Sequence, residues 1–317
     1  MHGINPLILR PCLVKKNNSK VIDEANWQIP KKAFVLLKKN DPLRLAGATA
    51  FFTSFSLPFI LIILIQLFGL VLDRRQLSQQ LFKSLSEILG DSGEQQVRTI
   101  SRGFRRLATN WYIAAGGFIF LLFVVTTLFK VIRDSINQLW DLHPTGERLS
   151  DALLPRLRSI GLILLAGVLF LVDSSGAGLL LYIRHSLGLD TKNALVLFFI
   201  LRQVISLLII ICWFLSLFLF LPDGRWSFRV TMKGAALTGL LYTVGKFVLG
   251  WLLISSNIQR LYGTAGAFVI VLLFVFYIAL IFYYGAAFTA ALAGHRKEAV
   301  RPSTHARLFR RRRTGIS

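Results

Sequence analysis

A chain of 317 residues that is 54% hydrophobic and only 16% charged, with mean hydropathy +0.60, does not read as a soluble protein. A soluble chain would carry about 25% charged residues. The formal charge of +22 invites a nucleic-acid reading, but Lys and Arg flank the apolar stretches. Zinc-ligand spacing, an RNP-like aromatic strand and a recognition helix are all missing, so nucleic acid is not an expected partner.

In chain order, residues 1–44 form a polar, basic N-terminal tail with a short amphipathic segment. The first 32 residues hold no apolar h-region, so no cleavable signal peptide is expected and the first span acts as its own insertion signal. Residues 45–293 form the membrane domain, in which six stretches exceed the ~18 apolar residues that a spanning helix needs. They lie at about 45–72, 111–132, 160–183, 194–221, 235–256 and 264–292. Pro58 stands well inside the first, behind the polar run Thr49, Thr53, Ser54 and Ser56. Proline removes an i→i−4 hydrogen bond, so a bend is expected there, with the polar face turned inward.

Between spans one and two, Asp73–Thr109 is too regular for a plain loop. Leu77, Leu81, Leu85 and Leu89 recur every four residues before the Gly90–Gly93 break. Val97, Ile100, Phe104 and Leu107 then form a second stripe, backed by Arg98, Arg102, Arg105 and Arg106. This predicts an amphipathic helical hairpin, either lying on the membrane or capping the bundle. Small residues on the last two spans, Gly234, Gly239, Gly245 and Gly250 and then Ala286, Ala290 and Gly294, are expected to allow close helix packing. Residues 294–317, with the Arg310–Arg313 run, read as a basic tail.

Six spans place both termini on one side. The segments on that side (1–44, 130–158, 222–233 and 294–317) hold 25 Lys and Arg, against 10 in the opposite loops. The positive-inside rule then makes both termini cytoplasmic, with anionic lipid headgroups as the expected partners of the basic flanks. Cys12 lies in the N-terminal tail and Cys212 in span four, so both are expected as free thiols.

Three ionisable residues fall inside spans: Asp173, Arg202 and Lys246. A charge at the centre of a membrane helix costs roughly 2.5–3.5 kcal/mol on insertion scales, so it is seldom there without a partner or a task. Taking ~1.5 Å per residue, they lie roughly 12–15 Å below the outer boundary, on three consecutive spans. Two readings stay open. Either Asp173 pairs with a cation and fixes helix register, or one acid and two bases line a cavity suited to a phosphate- or carboxylate-bearing substrate. Tyr242, four residues before Lys246, and Gln203, beside Arg202, extend the same polar face. No enzyme constellation accompanies them. The five histidines are dispersed, and no HExxH, Walker A or G-x-S-x-G pattern occurs, so neither a catalytic residue, a metal nor a cofactor is expected.

Three blocks resemble the YihY/BrkB family of bacterial inner-membrane proteins. LAGATAFFTSFSLPFILIILIQLFG (Leu45–Gly69) is similar to its first span, and INQLWDL (Ile136–Leu142) to the short Asn-x-x-Trp segment after span two. From Gly234 to Leu292 the sequence follows the last two spans, including Tyr262-Gly263 and the closing Gly285-Ala286 signature. The resemblance covers about residues 30–295, with both tails outside it. Phe276 stands where Trp is common, and Tyr283–Phe288 lacks the acidic residue of a Gly-Ala-Glu-type ending. The resemblance implies six membrane helices, the cytoplasmic membrane, and roles in envelope integrity and in moving anionic lipids. The family's older label, ribonuclease BN, finds no metal-ligand set here to support it.

The expectation is therefore an all-α polytopic bundle of six helices plus the hairpin. Its expected role is to transport or flip an anionic amphiphile such as a phospholipid or lipopolysaccharide precursor. Arg202 and Lys246 would bind the headgroup, with Asp173 as balance. A non-catalytic scaffold or envelope assembly factor is the alternative, a membrane-tethered hydrolase the weakest option, and a homo-oligomer is left open.

Overall fold

The computed structural model describes residues 18–69, 111–144, 161–173, 192–255 and 266–296. It also describes the shorter stretches 73, 75–84, 86, 95, 97–99, 102, 298, 301–302 and 306–308. Helices dominate, as the apolar periodicity requires: α1 (Asn18–Lys38), α2 (Pro42–Phe68), α3 (Trp111–Leu139), α4 (Gly161–Asp173), α5 (Lys192–Phe220), α6 (Phe228–Ser255) and α7 (Gly266–His295). Among the described residues, three helical stretches are long and apolar enough to cross a membrane: Pro42–Ile62, Val196–Phe220 and Phe268–His295. α4 is apolar but shorter as described.

α7 is the axis of the fold, packing against α1, α2, α3 and α6, while α3 also packs on α2 and α5 on α6. Tyr283 and Phe218 are the largest fully buried side chains, and the Phe218 and Phe282 rings stack at 5.1 Å. The α6–α7 contact is a reciprocal interlock. Thr289 lies directly against Gly234, and Thr238 directly against Gly285; each threonine hydroxyl donates to the carbonyl of the glycine one turn before it, at 2.8 Å. Bonding to its own helix satisfies the hydroxyl, and the facing glycine leaves room for it. Close packing of this kind is the main source of helix association where lipid replaces water.

The polar run of α2 faces inward as expected: Thr49, Ser54 and Ser56 are buried, as is Pro58. Thr49 shares a hydrogen bond of 2.5 Å with the Tyr283 hydroxyl. Tyr283→Phe should cost about 1–2 kcal/mol, because Thr49 loses its partner across the core. Thermal melting of purified protein checks this, and Thr49→Val in the same chain is expected to recover most of the loss.

The described residues of the region between α2 and α3 pack against α2 and α4. Asp73 Oδ1 accepts from the Arg75 and Gln76 amides at 2.7 and 3.4 Å, starting the helix of residues 75–84 with a capping aspartate. Leu77, Leu81, Phe82 and Val97 are buried together with Leu61 and Ile65 of α2, and Phe170 and Leu171 of α4 pack on them. The Arg98 guanidinium lies 4.4 Å from the centre of the Phe82 ring. Leu85, Leu89, Ile100, Phe104, Leu107, Arg105 and Arg106 lie outside the described residues.

One departure from the all-helical expectation concerns the basic tail. Residues 306–308 pair antiparallel with Leu142–Pro144, and Arg301–Pro302 pair with Gly224–Arg225. The segment after His295 is thus tied back onto the links that follow α3 and α5. Backbone pairing of two or three residues leaves almost no alternation to read, which is why the sequence pattern did not announce it.

Candidate functional site

Asp173 closes the described part of α4 and is half-buried. α4 is held close to α2 because Gly167 leaves room for Phe68 and Leu64, where any larger residue would collide. Asp173 lies within electrostatic reach of the Tyr242 phenol on α6. The Tyr242 ring in turn meets Phe214 of α5 edge-on at 6.0 Å. Lys246 is half-buried one turn beyond Tyr242, on the same helix face, with Gly245 packed against the Tyr277 ring beside it.

Arg202 stands apart. It is exposed on α5, in a run where Phe199, Ile200, Leu201 and Val204 are exposed as well; Phe199 is 65% exposed. Gln203 is half-buried and turns to a different face. The Arg44–Asp41 and Arg133–Asp223 ion pairs involve none of the three intramembrane charges. The structure therefore places Asp173 within electrostatic reach of Tyr242, sets Lys246 one turn from Tyr242, and leaves Arg202 on the outer surface of α5. Of the remaining singled-out positions, Gly285 and Ala286 are buried in the α7 packing core, whereas Tyr262 and Gly263 lie outside the described residues.

A second constellation escaped the sequence reading. Asp223, on the turn after α5, is buried and fully engaged. Arg133 of α3 grips it with Nε 3.0 Å from both carboxylate oxygens and an Nη at 2.7 Å. Asn137 Nδ2 donates to it at 2.7 Å, and the Asp223 amide donates back to Asn137 Oδ1 at 3.0 Å. One turn on, the Trp140 indole donates to the Ala286 carbonyl of α7 at 3.0 Å and meets Trp226 edge-on at 5.9 Å. Gln138 links Arg44 and Asn40 at 3.4 and 3.3 Å.

These contacts tie α1, α2, α3, α5 and α7 together at one end of the bundle. A carboxylate that already takes a guanidinium fork and an amide is committed to charge-assisted hydrogen bonds that hold helices together, so the knot reads as a clasp. Among the described residues no group of three or more His, Cys, Asp or Glu is placed to hold a metal ion. The available signals were the Pro222-Asp223-Gly224 turn and the Asn137-x-x-Trp140 spacing. Neither tells which distant cation an aspartate meets.

The family model described as "Virulence factor BrkB" matches residues 33–308. The chain belongs to the BrkB family. The match reaches past the resemblance read from the spans, through the strands that return to the clasp. A similar curated relative is a "UPF0761 membrane protein" from Teredinibacter turnerae strain ATCC 39867 / T7901. It is 25% identical over 285 residues, covering 87% of this chain. The chain spans 63% of that relative's length. No solved structure matches. BrkB family membership and the apolar helices together make this a membrane protein.

Proposed function

We propose that this chain is a six-span protein of the bacterial cytoplasmic membrane, with both termini in the cytoplasm, that binds the headgroup of an anionic amphiphile and moves it between leaflets without a catalytic step. A phospholipid or a lipopolysaccharide precursor is the substrate class. The observation that carries this reading is the exposure of Arg202 among exposed apolar side chains, with Tyr242 and Lys246 half-buried on the adjoining α6 and Asp173 half-buried on α4. A guanidinium flanked by Phe199, Ile200 and Val204 is reached from the bilayer and not from bulk water. That suits a substrate which is itself a lipid.

In this reading Arg202 receives the phosphate as a two-pronged donor. Lys246 supplies the second positive charge farther in, the Tyr242 hydroxyl donates beside it, and Asp173 keeps the net charge small. Gln203, on a different face from Arg202, would add a neutral donor only deeper among the helices.

The test is flipping of a headgroup-labelled anionic phospholipid in vesicles reconstituted with purified protein. Arg202→Gln with Lys246→Gln is expected to reduce the rate at least tenfold with melting temperature unchanged, while Arg202→Lys keeps part of it. Wild-type protein without flipping activity, or a double variant as active as wild type, overturns the proposal. Loss of folded protein in the double variant favours the scaffold reading, in which the charges fix helix register.

A further inference from the structure

α1 lies outside the candidate site and carries a pattern that the proposed function does not use. Its Ile29, Ala33 and Leu37 are buried, with Ile29 clustering with Leu292 and Ala293 of α7. The Tyr284 hydroxyl of α7 also donates to the Pro30 carbonyl at 3.4 Å. On another face Gln28, Lys31, Lys32, Val35, Leu36 and Lys39 line a shallow groove of about 440 Å³. Their spacing of three and four residues makes them a single helical stripe. Residues 28–40 contain four lysines and no acid, and none of those lysines is ion-paired with a described residue.

A helix face turned to water gains nothing by setting apolar side chains among its lysines. Here Val35 is 50% exposed, and the neighbouring Phe34 and Leu43 are 60% and 67% exposed. Helices that lie in the headgroup layer carry this mixture, because the apolar groups reach the acyl boundary and the lysine stems extend to the phosphates. The connection to α2 fixes the level. Asn40 closes α1 by donating to the Leu36 carbonyl at 2.8 Å, Asp41 takes a left-handed φ of 52°, and the apolar stretch of α2 starts at Pro42. Lys39 is therefore three residues from a membrane helix, roughly 10 Å at full extension, which keeps it at the bilayer surface.

We propose that the α1 groove is a binding site for the phosphate headgroup of an anionic phospholipid in the leaflet where α2 begins, and that this lipid holds α1 in the plane of the interface against α7. Lys31, Lys32 and Lys39 surround the phosphate, Gln28 donates to the headgroup, and Val35 and Leu36 meet the glycerol and first acyl carbons. The site is separate from the intramembrane charges and stands without the transport reading.

The experiment uses the full chain in nanodiscs of phosphatidylcholine with increasing phosphatidylglycerol, with retained lipid counted by native mass spectrometry. The wild type is expected to retain phosphatidylglycerol over phosphatidylcholine, and excess inorganic phosphate is expected not to displace it. K31Q/K32Q/K39Q should lower that preference about tenfold or more, since each cation at an anionic surface contributes on the order of 1 kcal/mol. R225Q/R229Q/K233Q, which removes the same charge from exposed positions outside the groove, should lower the preference clearly less, because those cations do not converge on one site. Equal losses in both triple variants, or none in the first, overturn the proposal, as does displacement by phosphate. A spin label at V35C in a C12S/C212S background gives an independent readout. It is expected to be relaxed by oxygen more than by a water-soluble nickel chelate; the reverse order also overturns the proposal.

Discussion

Asp223→Ala is expected to lower the melting temperature of the purified protein by about 5–10 °C and to be the most damaging polar-to-alanine change at its end of the bundle. The carboxylate is buried and receives three contacts from Arg133 and one from Asn137. Removing one partner of a buried pair leaves the other charge uncompensated, at about 3–5 kcal/mol. The Arg133 side chain is 26% exposed, so water relieves part of that cost and places the loss near the lower figure. Asp223→Asn should be nearly as harmful, because shape survives but the guanidinium loses its counter-charge. Arg133→Lys should be intermediate, since an ammonium cannot reproduce the two-pronged grip. A double-mutant cycle with Arg133→Met and Asp223→Ala checks the mechanism: the double variant is expected to be less unstable than the two single losses added together. Strict additivity would show that the two side chains act independently.

Gly285→Val and Gly234→Val are expected to abolish accumulation of folded protein in the membrane. A side chain at either position collides with Thr238 or Thr289, whose hydroxyls are fully buried and already bonded within their own helices. The helices must then separate, and the contact that joins α6 to the central α7 is lost. The alanine variants impose a smaller overlap, about 1–3 kcal/mol as in overpacked cores. Thr289→Ala is expected to recover part of the Gly234→Ala loss, because the nearest remaining atom, the Thr289 Cβ, lies 3.2 Å from the added carbon. Detergent-extracted yield on size-exclusion chromatography and the melting temperature distinguish these outcomes. Normal yield of both valine variants would show that the interlock is dispensable.

Much of the architecture was legible because bilayer thickness sets a length that apolar residues either reach or do not. Three of the stretches read as spans meet that criterion as described helices. α6 also forms as a helix from Phe228 to Ser255, although Arg229, Lys233, Lys246 and four glycines dilute its hydropathy. The small residues of the last two helices were legible as packing positions. Their reciprocal pairing was not, because it depends on the axial offset of two antiparallel helices. At the candidate site the sequence picked out Asp173, Arg202 and Lys246 from the rarity of charge in apolar surroundings. It gave no account of which way each one points, since helix rotation is settled by neighbours.

The sequence by itself determined that this is a helical membrane protein of the BrkB family, because hydropathy, charge placement and the motifs of α2, α3 and α6–α7 are all local properties. Only the tertiary structure decided that Asp223 belongs to Arg133 and Asn137, that Arg202 stands exposed, and that residues 301–302 and 306–308 return to pair with two earlier links. The pairings among them join residues tens to more than a hundred positions apart. Such pairings follow from how the helices rotate and slide as they pack, a choice made jointly by many side chains that no short window of sequence contains.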